Sequence, residues 1–290
     1  MLQQILTITL PVFAIVFVGF MYGRLDNHNL DVTNKINMDL FVPALLLYIL
    51  SEKIPSLDYV ADMFLATTII VIGSGLLTWP ICKLFKIPLT TLVPPMMFNN
   101  SGNLGLPLAI FAFGESLLPL TIITFVVSTA IHFSLGIWIV TNQFKLKTLL
   151  LNPVFLASAG GLSLNASGIH LPSEILPGLE MLAGVAIPLM LITLGIKFAN
   201  ITLSHWNLGI LSAILAPLTG LLTAFLAIWL LNLNEDMTRV LLLFSVLPPA
   251  VLNYLIAERY QQQPNQAASI VVIGNLFSLV SIPLILGFIL

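Results

Sequence analysis

The chain has 290 residues, of which 58% are hydrophobic and only 8% charged, and its mean hydropathy is +1.06. Soluble domains carry about 25% charged residues, so this composition excludes a soluble protein and indicates an integral membrane protein. The net charge of −2 provides no general attraction to nucleic acid, and a single cysteine, Cys82, excludes an internal disulfide.

Ten apolar segments follow one another along the chain, separated by short polar turns. A helix needs roughly 20 apolar residues to cross the bilayer core. The first segment has no basic leader, so it is interpreted as a mature span rather than a removable signal. The sequence therefore predicts an all-α membrane protein with ten transmembrane helices. They are expected at 3–22, 34–51, 60–83, 90–114, 117–141, 149–166, 174–197, 207–232, 238–259 and 266–289.

The basic residues indicate how the spans are oriented. The connections that follow spans 1, 3, 5, 7 and 9 hold most of the lysines and arginines, whereas the opposite side holds only Lys53 and Arg239. Because positively charged loops stay in the cytoplasm, the chain is predicted to span the plasma or inner membrane with both termini on the extracytoplasmic side. The residues on the predicted cytoplasmic side are Arg24, Lys35, Lys83, Lys86, Lys145, Lys147, Lys197 and Arg259.

Short motifs recur in the same order in the two halves of the chain. Spans 1 and 6 share PVF, spans 3 and 8 share GLLT, and spans 2 and 7 share a proline-centred apolar stretch. Span 4 contains PPMMFN from Pro94, and span 9 contains PPAVLN from Pro248. Since five spans are an odd number, the sequence predicts two inverted five-helix repeats, at 1–145 and 146–290. This architecture is typical of secondary transporters that bind their substrate near the midplane.

Spans 4 and 9 combine helix-breaking residues with residues that form hydrogen bonds. Prolines and glycines interrupt the helix, and unwound backbone at membrane depth is tolerated only where protein or water satisfies it. We therefore expect two broken helices that cross, with half-helix N-termini able to hold a carboxylate. Asparagines can also simply join helices, but the duplicated cluster favours a binding site. The predicted substrate-binding residues are Asn99, Asn100, Ser101, Gly102, Asn103, Pro249 and Asn253.

The residues at these two interruptions resemble the auxin efflux carrier family of membrane transporters. The resemblance rests on NNSGNLGLPL at 99–108, LPPAVLNYLIAERY at 247–260 and SLVSIPL at 278–284. It implies a fold similar to sodium/proton antiporters and bile-acid symporters, with a scaffold at 1–58 and 149–200. It also implies a mobile transport domain at 59–145 and 201–290 that moves as an elevator, and a homodimer formed through the scaffold helices.

The family includes plant auxin exporters and bacterial permeases for dicarboxylates. Plant members have prolines at the positions of Asn99 and Asn253, AKEY in place of AERY, and a long cytoplasmic loop that is missing here. These departures favour a small mono- or dicarboxylate as cargo. The prediction is a secondary transporter of a small organic anion, with no cofactor or bound metal and with Na⁺ or H⁺ as the candidate coupling ion. A membrane sensor or enzyme on the same fold is the alternative, although no GxxxxGK[ST], HExxH or GxSxG motif is present.

Four ionisable residues are candidates for gating or ion coupling, since charges within spans are rare and often functional. Asp39 lies about one turn into span 2 and is either an interfacial residue or a gate. His132 is central in span 5, where it either bonds a neighbouring span or relays protons. Glu258 and Arg259 end span 9, where they are either an interfacial anchor or an entry point for the anion and a coupling cation.

Overall fold

The computed structural model describes residues 1–25, 31–53, 57–143, 150–199, 201 and 203–290. Within these ranges the regular elements are all helices, and the β-type pairing is a single isolated bridge. Lys145, Lys147, the predicted repeat boundary at 145–146 and the predicted start of span 6 at 149 lie outside the described residues.

One helix or a set of consecutive helices lies over each predicted segment, as far as the segments are described. Short π-helical turns at Asn37–Phe41, Ser101–Gly105 and His132–Gly136 connect neighbouring helices, and a 3₁₀ turn at Glu115–Leu117 precedes α7. The α-helices are α1 Leu2–Leu25, α2 Asp31–Ile36, α3 Val42–Glu52, α4 Leu57–Phe85, α5 Leu89–Met97, α6 Leu106–Phe113, α7 Leu118–Ile131, α8 Ile137–Thr141, α9 Pro153–Ala166, α10 Leu176–Ala199, α11 Trp206–Leu231, α12 Glu235–Ser245, α13 Val251–Arg259 and α14 Pro264–Ile289.

Six helical stretches of the described chain are long and apolar enough to cross a bilayer, which confirms a multi-pass membrane protein. They are Leu2–Leu25, Tyr59–Phe85, Glu115–Thr141, Leu176–Ala199, Trp206–Leu231 and Pro264–Ile289. The other predicted spans consist of shorter or interrupted helices. α9 has 14 residues, or about 21 Å of helix against a hydrocarbon core of about 30 Å. The count of ten crossings therefore stays a prediction.

Large apolar side chains cover the outside of the long helices. Phe17 on α1, Leu222 on α11 and Leu284 on α14 are exposed by 61%, 63% and 70%. Contiguous exposed apolar surface of this kind is unfavourable in water, so these faces are suited to contact with lipid tails.

The helices pack in two groups. In the first, α1 lies along α10, and α3 packs against α9 and α10. In the second, α11 packs against α4 and α14, while α4 also contacts α5 and α7. The groups meet where α1 contacts α6 and where α10 contacts the π turn Ser101–Gly105. The predicted scaffold and transport domain would correspond to these two groups.

Two polar contacts join elements at the predicted outer surface. Lys53 Nζ lies 2.6 Å from Glu115 Oε2, and this hydrogen bond outweighs burial and raises the pKa of Lys53. Glu52 accepts a 3.2 Å hydrogen bond from the Leu171 N–H and lies 3.2 Å from His170 Nδ1. Burial alone would raise the pKa of Glu52, but the bonds to Leu171 and His170 and the charge of His170 lower it. Glu52 thus anchors the α9–α10 connection to the end of α3.

Candidate functional site

The fourth predicted span is interrupted at three residues. α5 ends at Met97, and the next helical turn begins at Ser101, so that Phe98, Asn99 and Asn100 are not helical. The stretch combines buried residues with amide side chains, because Phe98 and Asn100 are buried and Asn99 is partly buried. The expected interruption is present, and it lies at Phe98 and Asn99, which end the PPMMFN motif, and at the following Asn100.

The ninth predicted span is interrupted between Ser245 and Val251, and this segment contains Pro248 and Pro249. The motif comparison of the two halves aligns Pro94 with Pro248, and in space the two breaks contact each other. Asn99 forms an antiparallel bridge with Pro249. The double proline of span 4 lies inside α5, ahead of the break, whereas that of span 9 lies within the break. Each break overlaps its PPxxxN motif, but the two double prolines lie at different positions relative to the breaks.

Backbone hydrogen bonds join the two breaks, residues 98–100 and 246–250, which together are called the crossover below. The Asn100 N–H donates to the Pro248 carbonyl at 2.7 Å, and the Ala250 N–H donates to the Phe98 carbonyl at 3.0 Å. Unpaired backbone groups are costly at membrane depth, where water is scarce. Each break therefore supplies the hydrogen bonds that the other lacks.

Two predicted asparagines hold the crossover together through their amide nitrogens. Asn253 Nδ2 donates to the carbonyls of Phe98 and Ala250 at 2.8 and 3.0 Å. Asn99 Nδ2 donates to the Phe244 carbonyl at 2.6 Å. The Asn99 Oδ1 atom is buried and has no hydrogen-bond partner, whereas the Asn253 side chain lies within hydrogen-bonding reach of the His132 ring. Because an unpaired buried atom is costly, Asn99 Oδ1 marks a position where a hydrogen-bond donor or a cation would be stabilised.

Asn275 in α14 bridges the two breaks, and the sequence analysis missed it. Its Nδ2 donates to the carbonyls of Pro249 and Val271 at 3.1 and 2.8 Å. Its Oδ1 accepts a long hydrogen bond, 3.4 Å, from Asn100 Nδ2, and both asparagines are buried. The available signal was a single amide in the middle of the apolar stretch VVIGNLFSLV, where a polar side chain must find a partner.

A small cavity lies beside the crossover, between α5 and α13. His132 and Asn253 both line it. His132 is 5% exposed, and its ring lies within hydrogen-bonding reach of the Asn253 side chain. The imidazole stacks on the Phe98 ring, with centroids 4.0 Å apart and planes 4° apart. The other lining residues are Thr90, Thr91, Pro94, Pro95, Gly136, Val140, Ile256, Ala257 and Ala267.

This cavity, called the His132 cavity below, is rich in hydrogen-bond acceptors. Pro94 and Pro95 have no N–H, so the carbonyls of Thr90 and Thr91 lose the helical donors they would otherwise have. All four of these residues line the cavity. The described lining carries no lysine, arginine, aspartate or glutamate, and the free space is about that of one water molecule.

Ser101, Gly102 and Asn103 begin the helical stretch that follows the first break. The N–H groups in the first turn of a helix have no intrahelical acceptor, and they carry partial positive charge. Ser101 lines a second small cavity with Thr121 and Thr124, and Gly102 lies against the Phe125 ring, where a Cβ would be 2.9 Å from the nearest ring atom. This side of the crossover therefore offers the donors that a carboxylate requires.

Three of the four ion-coupling candidates lie away from the crossover. Asp39 is exposed in the π turn between α2 and α3. Glu258 and Arg259 are exposed in the last turn of α13, and Glu258 Oε1 accepts a 2.6 Å hydrogen bond from the Tyr254 hydroxyl. Only His132 of this set reaches the crossover.

Comparison with known proteins identifies the family of the chain. A model of the family described as membrane transport protein matches residues 137–286, slightly more than half of the chain. This chain belongs to the auxin efflux carrier family of membrane transport proteins. The transporter is 26% identical, over 298 residues, to an uncharacterized transporter of Methanocaldococcus jannaschii, and the match covers 96% of each chain. The resemblance inferred from the motifs at 99–108 and 247–260 is thus confirmed. The family match covers the second break, and the relative covers both.

Proposed function

We propose that this transporter moves a small organic anion, a mono- or dicarboxylate, across the membrane by alternating access. The observation that carries the proposal is the direct pairing of two helix breaks through Asn99 and Pro249. Helix N-termini that start at the breaks offer N–H donors and partial positive charge to a carboxylate. The proposed binding residues are Asn99, Asn100, Ser101, Gly102, Asn103, Pro249 and Asn253.

We propose that the two halves are inverted five-helix repeats, giving ten crossings with both termini outside. Supporting this, the glycines that open the two GLLT motifs occupy similar surroundings. A Cβ at Gly75 would lie 2.6 Å from Met97 Sδ, and a Cβ at Gly220 would lie 2.0 Å from the Ser245 carbonyl oxygen. Met97 and Ser245 are each the last helical residue before a break. The same motif therefore packs on the same part of each half.

The two packing groups support an elevator movement of a transport domain along a scaffold, with the scaffold helices forming a homodimer. Spin labels on Ile169→Cys and Trp229→Cys would lie on different groups, at exposed positions, and native Cys82 is buried. The distance distribution between the labels should shift when a transported carboxylate is added. An unchanged distance distribution would refute the elevator movement, but it would not bear on the proposed binding residues.

Uptake of labelled carboxylates into proteoliposomes tests the function. Asn100→Ala and Asn253→Ala should abolish most uptake, because each removes a side chain from the crossover. Asn165→Ala is the matched control, since its Nδ2 bonds only the Ser51 carbonyl, in the first packing group. Size-exclusion profiles establish that the variants are folded. Normal uptake by both crossover variants would refute the site.

The same vesicles separate the remaining alternatives. Conversion of a carboxylate into another compound without vectorial movement would indicate a membrane enzyme, and binding without either would indicate a sensor. Repeating uptake with and without Na⁺, at two pH values, decides between Na⁺ and H⁺ as the coupling ion.

A further inference from the structure

We propose that an anionic phospholipid binds in a cavity at the predicted cytoplasmic ends of α4, α11 and α14, called the interfacial cavity below. Lys86 and the polar side chains around it hold the phosphate group, and the acyl chains lie along the apolar outer face of α11. The site is separate from the crossover, so the inference goes beyond the proposed function and does not depend on the identity of the cargo.

The interfacial cavity is large and open to the outside of the protein. Its volume is about 650 Å³, whereas the His132 cavity and the second cavity beside the crossover each have room for about one water molecule. It lies between the α4–α5 connection, the segment that leads into α11 and the first turn of α14. The lining residues that matter below include Phe85, Lys86, His205, Trp206, Leu211 and Gln266.

The ends of three apolar stretches place this cavity at the boundary between membrane and water. Tyr59–Phe85, Trp206–Leu231 and Pro264–Ile289 are all long and apolar enough to cross a bilayer. The cavity contains the last residue of the first stretch and the first residue of the second, and it reaches the first turn of the third. Tryptophan is enriched at this boundary, and Trp206 is 55% exposed. All three stretches end there on the predicted cytoplasmic side, where the leaflet carries anionic lipids.

The polar part of the lining suits a phosphate group. Lys86 is exposed, and it forms no ion pair within the described part of the chain. Hydroxyl, imidazole and amide groups that can donate hydrogen bonds surround it, from Ser204, His205, Asn207 and Gln266. Among the described residues that line the cavity, none is an aspartate or a glutamate. A phosphate group therefore meets a cation and several donors, and no acidic side chain opposes it.

The helix ends at the cavity contribute little net charge. The C-terminus of α4 and the N-terminus of α11 both lie there, and their partial charges have opposite signs and largely offset each other. The N–H groups of Ser204 and His205 already donate to Ser269 Oγ, at 3.3 and 3.1 Å, and so hold the segment against α14. The affinity for an anion is therefore assigned to Lys86 and the side-chain donors.

The apolar part of the surface distinguishes a lipid from a soluble anion. Phe85 and Trp206 line the cavity and are exposed by 56% and 55%. From Trp206, a stripe of exposed apolar side chains at four-residue spacing continues along α11 through Ile210, Ile214 and Leu218. Residues four apart lie on one face of a helix, so this stripe leads from the cavity into the depth of the hydrocarbon. A soluble phosphate or carboxylate would use only the polar part, whereas a phospholipid covers both.

The place of the cavity in the fold also favours a lipid over the cargo. The helices around it, α4, α11 and α14, all belong to the second packing group. The proposed movement would carry the cargo along the boundary between the two groups, and the interfacial cavity does not lie on that boundary. Basic pockets between spanning helices on the cytoplasmic side are typical binding sites for anionic headgroups.

Quenching of tryptophan fluorescence by brominated lipids tests the proposal. Replacing three of the four tryptophans by phenylalanine leaves either Trp206 or Trp229, which are both exposed and lie near opposite ends of α11. Each variant is reconstituted in mixed vesicles of phosphatidylglycerol and phosphatidylcholine, with bromine on the chains of one lipid at a time. At Trp206, phosphatidylglycerol should be preferred about fivefold, the effect of one lysine near the membrane surface. At Trp229, phosphatidylglycerol should not be preferred.

Two lysine substitutions in the variant that retains Trp206 identify the phosphate ligand. Lys86→Gln should abolish the preference for phosphatidylglycerol. Lys83→Gln is the matched control and should keep most of it, because Lys83 is exposed in the last turn of α4 but does not line the cavity. A second measurement needs no tryptophan replacement. In detergent, phosphatidylglycerol should raise the melting temperature of the native chain more than phosphatidylcholine does, and Lys86→Gln should lose this difference.

Three outcomes would overturn the proposal. The first is the same lipid preference at Trp206 and Trp229, and the second is an equal loss of preference in Lys86→Gln and Lys83→Gln, which would indicate general surface charge. The third is displacement of brominated phosphatidylglycerol from Trp206 by inorganic phosphate, which would indicate a site for a soluble anion. None of these measurements involves uptake, so their failure is distinguishable from failure of the proposed transport function.

Discussion

Replacing Asn275 by leucine should weaken the crossover, because leucine has no hydrogen-bonding group but is similar in size to asparagine. The substitution leaves the Pro249 carbonyl without its 3.1 Å donor and Asn100 Nδ2 without its 3.4 Å acceptor. A buried polar group without a partner costs about 1–3 kcal/mol, and the long bond to Asn100 belongs at the low end. The Val271 carbonyl keeps its helical partner, so its bond adds little. The expected loss of stability is therefore about 2–4 kcal/mol.

The apparent melting temperature of the detergent-purified protein, followed by tryptophan fluorescence, measures this loss. Asn275→Leu should melt several degrees below the native protein and should transport poorly. Ser278→Ala is the matched control, because Ser278 is equally buried on the same helix, but its hydroxyl donates only to the Asn275 carbonyl one turn earlier. If the two variants melt at the same temperature, the bridging role of Asn275 is wrong.

Two other sites allow similar tests of the packing and of a surface charge. Gly220→Ala should lower the melting temperature by the equivalent of about 1–3 kcal/mol, because its Cβ would lie 2.0 Å from the Ser245 carbonyl oxygen. Gly184→Ala, with nothing within 4 Å, should be neutral, and equal effects would contradict the close contact. The lowered pKa of Glu52 means that its ionised form stabilises the α9–α10 connection above the ordinary value of 4.5, and that this is lost as pH falls through the native pKa. At neutral pH, hydrogen exchange at the Leu171 N–H should be slower in the native protein than in Glu52→Gln. At strongly acidic pH the two exchange rates should be equal. Equal rates at neutral pH would refute the stabilising role of ionised Glu52.

The sequence predicted the interruptions because proline and glycine disfavour a continuous helix, and because asparagine at membrane depth needs a hydrogen-bond partner. The prolines alone do not show where each break begins, because a proline inside a helix removes one hydrogen bond without necessarily ending the helix. α5 continues past Pro94 and Pro95 to Met97. A motif shows which residues can break a helix, but only the packing of the other half decides where the break occurs.

The candidate site was visible from the sequence only in part. His132 and Asn253 stood out as polar residues in separate apolar spans, yet nothing in their spacing shows that they share a cavity. Asn275 was not predicted, because its contacts with both breaks depend on how α14 packs. Asp39 and Glu258 were considered because charges are rare in spans, but both lie near helix ends, where the surface solvates them.

The backbone hydrogen bonds of the crossover limit how the two interrupted helices can move. Its bonds run from main chain to main chain, so they persist whatever side chains surround them, and no water is at hand in the hydrocarbon to take over if they part. Separating the two interrupted helices would leave the backbone N–H and carbonyl groups of both breaks without hydrogen-bond partners. The bonds of the crossover therefore favour movement of both interrupted helices together with α14 as one rigid unit, if the proposed transport cycle moves either of them.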